Sequence, residues 1–200
     1  EVPADISSAA FFLVAATIVP GSEVVLDRIG INPTRTGILT ILRRMGADIS
    51  VTPQSTDGEP TGRLTVRSAE LMGTDVGGAE IPLAIDELPL IALAACFAEG
   101  TTVIADAEEL KRKESDRIAV VVDSLRSLGA EIEATGDGMV IEGTGGLRGG
   151  TIASHGDHRI AMLGAIAGIA SKEGVSVFDM DAASVSYPGF KPDLNGLLAN

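Results

Sequence analysis

Met45-Gly46-Ala47-Asp48-Ile49 and Leu128-Gly129-Ala130-Glu131-Ile132 are nearly the same five residues used twice. Each closes a stretch with apolar residues at helical spacing. The first runs near Thr36–Met45, with Ile38, Leu39, Ile41, Leu42 and Met45. The second runs near Ser115–Leu128, with Ile118, Val121, Val122, Leu125 and Leu128. Gly46 and Gly129 stand where a helix C-terminus wants a left-handed residue, and a strand follows at once. Asp48–Thr52 then pairs with Leu64–Arg67, and Glu131–Ala134 with Met139–Glu142. Gly136-Asp137-Gly138 is the hairpin signal between the latter two.

Working outward, an apolar helix, a glycine turn and a β-rich run recur three times. Ser8–Val19 leads to Gly21, Leu88–Phe97 to Gly100, and His158–Ala170 to Gly174, the turn glycines being 79 and 74 residues apart. One domain of three units, about 1–80, 81–150 and 151–200, is expected. The third unit stops short: a second helix follows Tyr187-Pro188-Gly189-Phe190, but Asn200 arrives before any strand pair. Since the first residue is Glu1 and not Met, strands from sequence outside this chain are the favoured completion. The repeat predicts βαβαββ-like units about a pseudo-threefold axis, helices inside and sheets outside. That is an inside-out, barrel-like α/β (α+β) domain. Spacing alone secures only the α/β mixture.

Composition excludes several function classes. The 200 residues are 45% apolar and 22% charged, which is globular rather than disordered. Aromatics are 3% and the net charge is −13, so nucleic acid and anionic membranes are not expected partners. Any anionic ligand needs a local basic cluster. The single Cys96 lies in the apolar run Ile91–Phe97 and excludes an internal disulfide. No apolar stretch reaches about 18 residues and no signal peptide is visible, so a cytoplasmic chain is expected.

Polar residues gather at the helix starts, where unpaired N–H groups and the helix dipole favour anions. Asp5-Ile6-Ser7-Ser8 precedes the first helix, with Ser7 or Ser8 the expected cap. In Asn32-Pro33-Thr34-Arg35-Thr36-Gly37 capping accounts for Thr34 or Thr36, and Arg35 is either solvated or directed at an anion. Asp86 and Glu87 suit a first helical turn on dipole grounds, while a carboxylate of limited hydration there also suits a general base. Lys111-Arg112-Lys113-Glu114-Ser115-Asp116-Arg117 reads as a solvated, internally paired face or as an anion site. If a helix starts near Glu114, Lys113, Glu114 and Arg117 share a face. In His155-Gly156-Asp157-His158-Arg159 three metal ligands would be crowded. A capping Asp157, with His158 and Arg159 turned to an anion, is the better functional reading. No phosphate-binding or dinucleotide glycine motif and no nucleophile elbow occurs.

Asp86-Glu-Leu-Pro, Lys113-Glu-Ser-Asp-Arg117, Gly156-Asp-His-Arg-Ile-Ala-Met162 and Ser186-Tyr-Pro-Gly-Phe190, in this order, resemble the 5-enolpyruvylshikimate-3-phosphate synthase family. Asp5–Phe12 and Asn32–Gly37 extend the likeness over essentially the whole chain. The resemblance is to the C-terminal of two similar domains whose cleft holds the active site. It implies phosphoenolpyruvate and shikimate-3-phosphate as substrates, the N-terminal half of the same enzyme as partner, and no metal or organic cofactor. By the same resemblance Asp86 is the base acting on the shikimate 5-hydroxyl, and Glu114 the acid protonating the phosphoenolpyruvate methylene. Arg117 and Arg159 hold phosphoenolpyruvate with His158 beside them, and Lys113 lies between the two substrates' anionic groups. Many members carry Lys where this chain has Val185. The alternatives are the related UDP-N-acetylglucosamine enolpyruvyl transferase, against which Lys113-Glu114-Ser-Asp-Arg117 argues, and a non-catalytic anion-binding domain.

Overall fold

The structure is a computed structural model that describes residues 2–56 and 58–199. The first unit comprises α1 (Ile6–Ile18), β1 (Glu23–Gly30), α2 (Gly37–Arg44), β2 (Asp48–Ser55) and β3 (Thr61–Arg67). The second begins before the expected boundary near residue 80, because two short strands β4 (Leu71–Met72) and β5 (Asp75–Val76) pair with its β6 (Ala98–Ile104); it also holds α3 (Ile81–Ala84), α4 (Leu88–Cys96), α5 (Arg117–Ser127), β7 (Glu131–Ala134) and β8 (Met139–Thr144). The third comprises β9 (Gly150–Ala153), α6 (His158–Ala170), β10 (Val175–Phe178) and α7 (Phe190–Leu198).

The two five-residue repeats behave as their glycines require. Gly46 and Gly129 have φ of +103° and +98°, a region open to glycine without a Cβ penalty. Each lets the chain leave its helix straight into a strand. Ile49 then lies opposite Val66, and Ile132 opposite Ile141, both antiparallel. The apolar partners of each pair face the helices, and Ile49, Val66, Ile132 and Ile141 are all buried.

Helices α1, α4 and α6 are apolar all round, so no single face can be left to water. They pack against one another, and every residue of α4 is buried. The sheets lie outside them in orders β1-β3-β2, β4-β6-β8-β7 and β10-β9. Leading strands run parallel to the strand after the inner helix: β4 and β5 on β6, β9 on β10, and a one-residue bridge from Ala4 to Ile29. The inside-out arrangement of three related units is therefore present. The three sheets remain separate, and no closed barrel forms among the described residues.

Tyr187-Pro-Gly-Phe190 has a packing role. Phe190 meets Phe11 and Phe12 with ring centroids 5.8 Å apart, and Tyr187 meets Phe12 at 6.1 Å, which pins α7 to α1. Cys96 is buried and its thiol is pushed up to about 12 by burial.

Candidate active site

The helix starts depart from expectation in three places. Asp5, not Ser7 or Ser8, caps α1, accepting from the Ser8 backbone N–H at 2.9 Å. Thr36 occupies the N-cap position of α2 but makes no side-chain capping bond; Asn32 Oδ1 instead accepts from the Thr34 N–H at 3.0 Å. Helix α5 begins at Arg117 rather than near Glu114, because Asp116 caps it through the Ala119 N–H at 3.1 Å. Lys113 is extended, so Lys113, Glu114 and Arg117 do not share a helical face. They converge nonetheless, through tertiary contacts. Asp157 caps α6 as expected, accepting from the Arg159 N–H at 2.9 Å.

The N-termini of α4, α5 and α6 meet around Arg117, which is only 1% exposed. Its Nε donates to Asp157 Oδ2 at 2.9 Å and its Nη1 to Asp86 Oδ1 at 3.1 Å. Its Nη2 donates to Asp157 Oδ1 at 3.3 Å and to Glu114 Oε2. Ser115 Oγ donates to Asp157 as well, at 2.9 Å. A buried guanidinium demands this density of acceptors, because an unpaired charge out of water is prohibitively costly.

Asp86 gathers the other cations. Lys113 Nζ lies 3.4 Å from its Oδ1 and Arg159 Nη2 4.0 Å from its Oδ2, while Arg159 Nη1 donates to its backbone carbonyl at 3.1 Å. Partial burial works to raise the Asp86 carboxyl. The charges of Arg159, Lys113 and Arg117 outweigh that and hold it below the usual carboxylate range. Asp157 follows the same logic, burial being outweighed by its hydrogen bonds from Arg117. Burial likewise opposes the Lys113 charge, and Glu109 at 3.0 Å together with Asp86 overcomes it. His158, at the first turn of α6, has its imidazolium disfavoured by burial and by the neighbouring Arg159 charge.

All six residues singled out by resemblance thus lie in one place: Asp86, Lys113, Glu114 and Arg117 with Arg159 in direct contact, and His158 within reach of the charges of Glu114 and Arg117. Val185 is 81% exposed on the turn before α7. Arg35 donates to Asp5 at 3.0 Å and to Ser7 Oγ at 3.1 Å, joining the cluster's edge. Three participants were missed. Asp157 is legible as a cap but not as the main partner of Arg117, 40 residues away. Ser115 and the buried Glu87 carry no local signal that separates them from ordinary helix-start residues.

The family model that matches residues 1–194 is that of EPSP synthase (3-phosphoshikimate 1-carboxyvinyltransferase). The chain belongs to the EPSP synthase family. The 3-phosphoshikimate 1-carboxyvinyltransferase of Leuconostoc citreum is 56% identical over 202 residues, covering 99% of this chain and 47% of that protein. The solved EPSP synthase of Acinetobacter baumannii matches with a TM-score of 0.94 at 43% identity, over 98% of this chain and 46% of that one. The enolpyruvyl transferase NikO from Streptomyces tendae gives 0.75 at 16% identity, a likeness of fold alone. The chain spans about half the length of the curated relatives it matches. EPSP synthase membership disfavours the UDP-N-acetylglucosamine alternative. No helix among the described residues is long and apolar enough to cross a membrane.

Proposed function

We propose that this chain supplies the C-terminal half of the active site of a cytoplasmic 3-phosphoshikimate 1-carboxyvinyltransferase, inactive without its other half. The observation that carries the reading is the convergence of Lys113, Arg117 and Arg159, from separate segments, on the one carboxylate Asp86. In an acidic chain, that is a local cation cluster with an embedded base, suited to an anionic substrate that must lose a proton while bound.

Asp86, held ionised by its three cations, takes the proton of the shikimate-3-phosphate 5-hydroxyl as that oxygen attacks C2 of phosphoenolpyruvate. Glu114 delivers a proton to C3, so the double bond becomes a methyl group and a tetrahedral ketal forms. The bond from C2 to the phosphate oxygen then breaks. Phosphate departs with that electron pair, and loss of a methyl proton restores the enol. Arg159 and Lys113 hold the phosphate and carboxylate of phosphoenolpyruvate, with His158 beside them. Arg117 joins them by exchanging its contact to Glu114, which is half-exposed, while Asp157 keeps it in place. Closure of the two halves would expel water and strengthen every one of these contacts.

The partner is the N-terminal half of the same enzyme. The chain's span of about half its relatives' length supports this, and among the described residues β10 pairs with β9 alone, whereas β6 also pairs with the β8–β7 hairpin. Phosphate release from phosphoenolpyruvate plus shikimate-3-phosphate tests the reading, using this chain with and without the other half. Release from the mixture alone is expected. No release, with both halves folded and associated, would overturn it in favour of a binding-only domain.

A further inference from the structure

Glu87 lies beside Asp86 at the start of α4, yet it is 3% exposed, and its Oε1 has no hydrogen-bond partner. At the equivalent place Asp157 accepts from the N–H of the second helical residue. In α4 that second residue is Pro89, which has no N–H, the third residue Leu90 donates its N–H to the Glu87 backbone carbonyl at 2.9 Å, and Glu87 makes no side-chain cap. Its carboxyl takes no part in capping. It faces Arg159, whose Nη1 lies 3.8 Å from the unpartnered Oε1, a charge contact longer than a hydrogen bond.

We propose that Glu87 is a positioning residue for Arg159: its carboxyl takes up a proton from solvent when Arg159 turns from it to a bound phosphoenolpyruvate, and returns that proton on release. The inference rests on the reading that this site binds phosphoenolpyruvate. The groups around Glu87 fix the direction of the exchange. Arg159 from α6 and Arg35 from the turn before α2 favour its ionised form, as does the Ser7 hydroxyl of α1. Asp86 opposes it, and Asp5 of α1 accepts a hydrogen bond from Arg35 at 3.0 Å. Burial already outweighs those supports and raises the carboxyl above its ordinary range. Withdrawal of the Arg159 charge and arrival of a multiply charged anion both push further toward the protonated form. The unpartnered Oε1 is the atom that receives the proton. A neutral carboxylic acid then stands behind the bound anion, where a carboxylate would repel it.

The test is calorimetric titration of phosphoenolpyruvate into the whole enzyme at pH 7, shikimate-3-phosphate omitted so that no turnover occurs. Buffers of differing ionisation heat give the protons taken up per ligand bound. Proton exchange by the ligand itself and by His158 is common to wild type and Glu87→Gln, so the difference isolates Glu87. Wild type is expected to take up more protons per ligand bound than Glu87→Gln, by at most about one. Glu87→Met replaces it should the Gln variant fail to fold. Equal proton counts in two proteins that both bind would overturn the proposal and leave the function reading intact. Absence of phosphoenolpyruvate binding in wild type would overturn the function reading, and the proposal with it.

Discussion

Replacing Asp157 by Asn asks whether the buried ion cluster is held together by charge or by shape. The side chain is completely buried and gives two oxygens to Arg117, at 2.9 and 3.3 Å. Removing one partner of a buried pair costs about 3–5 kcal/mol, because the remaining charge is left without compensation. Arg117 keeps Asp86 and the half-exposed Glu114, so the lower end, about 3 kcal/mol, is expected. Asn can still accept from the Arg159 N–H, and the α6 cap survives. Asp157→Ala loses the cap as well and should fall by about 1 kcal/mol more. In urea unfolding of the intact protein followed by circular dichroism, a slope of about 2 kcal/mol per molar places the Asn midpoint roughly 1.5 M lower. The pH dependence has a definite sign. The Asp157 carboxyl is held below its ordinary 3.8, so its stabilisation is complete above that value and is lost as pH falls through 3.8 toward the lower folded value. The gap between wild type and Asp157→Asn should narrow over that acidic range and nowhere else. An Asn variant within about 0.5 kcal/mol of wild type at pH 7 would refute the reasoning, since Asp86 and Glu114 would then suffice for Arg117.

Glu114→Gln in the complete enzyme should lower kcat by about 10²- to 10⁴-fold with little change in the phosphoenolpyruvate KM, checked by steady-state phosphate release. Cys96 should resist thiol reagents at pH 8 in the folded protein and label fully in denaturant, as read by peptide mass spectrometry, since its thiol is buried and pushed up to about 12. Gly143→Ala should destabilise by about 1–3 kcal/mol, seen as a lower melting temperature, because a Cβ there would lie 2.2 Å from the Ala98 carbonyl oxygen on the paired strand.

Much of the fold was legible because it is written in local features. The inner helices are apolar on every side, and α6 begins at His158 and ends at Ala170 as its pattern predicts. The glycine turns fix where helices give way to strands, and Gly21, Gly100 and Gly174 all have positive φ. Charge pattern at the helix starts marked Asp86, Lys113, Arg117, His158 and Arg159 as candidates, and their individual roles came from motif resemblance; their contacts were not legible. Lys113 and Arg117 suggested a shared helical face, but Asp116 takes the cap and starts α5 at Arg117, so the pair meets through Asp86 from another segment. Glu87 reads as an ordinary first-turn acid because the residues that act on its carboxyl, Ser7 and Arg159, lie far away in the chain. What sequence pattern conveys is the period of an element. Which charge faces which across three units depends on packing.

The threefold repetition explains why a site forms at this end of the domain at all. Each inner helix starts with an acid, Asp5, Glu87 and Asp157, and packing three such helices together brings the three starts into one neighbourhood. Three carboxylates and three positive helix ends are balanced on dipole grounds but offer no chemistry. Divergence among the equivalents creates it. Asp5 remains at the surface and spends its charge on its own helix and on Arg35. Asp157 is sealed inside, where only a guanidinium can compensate it, and so it fixes Arg117 at the centre. Glu87 makes no capping bond and stands against Arg159 with an oxygen to spare. One repeated scaffold thus holds three carboxylates in three electrostatic conditions, which the proposed proton transfers would need at a single pH.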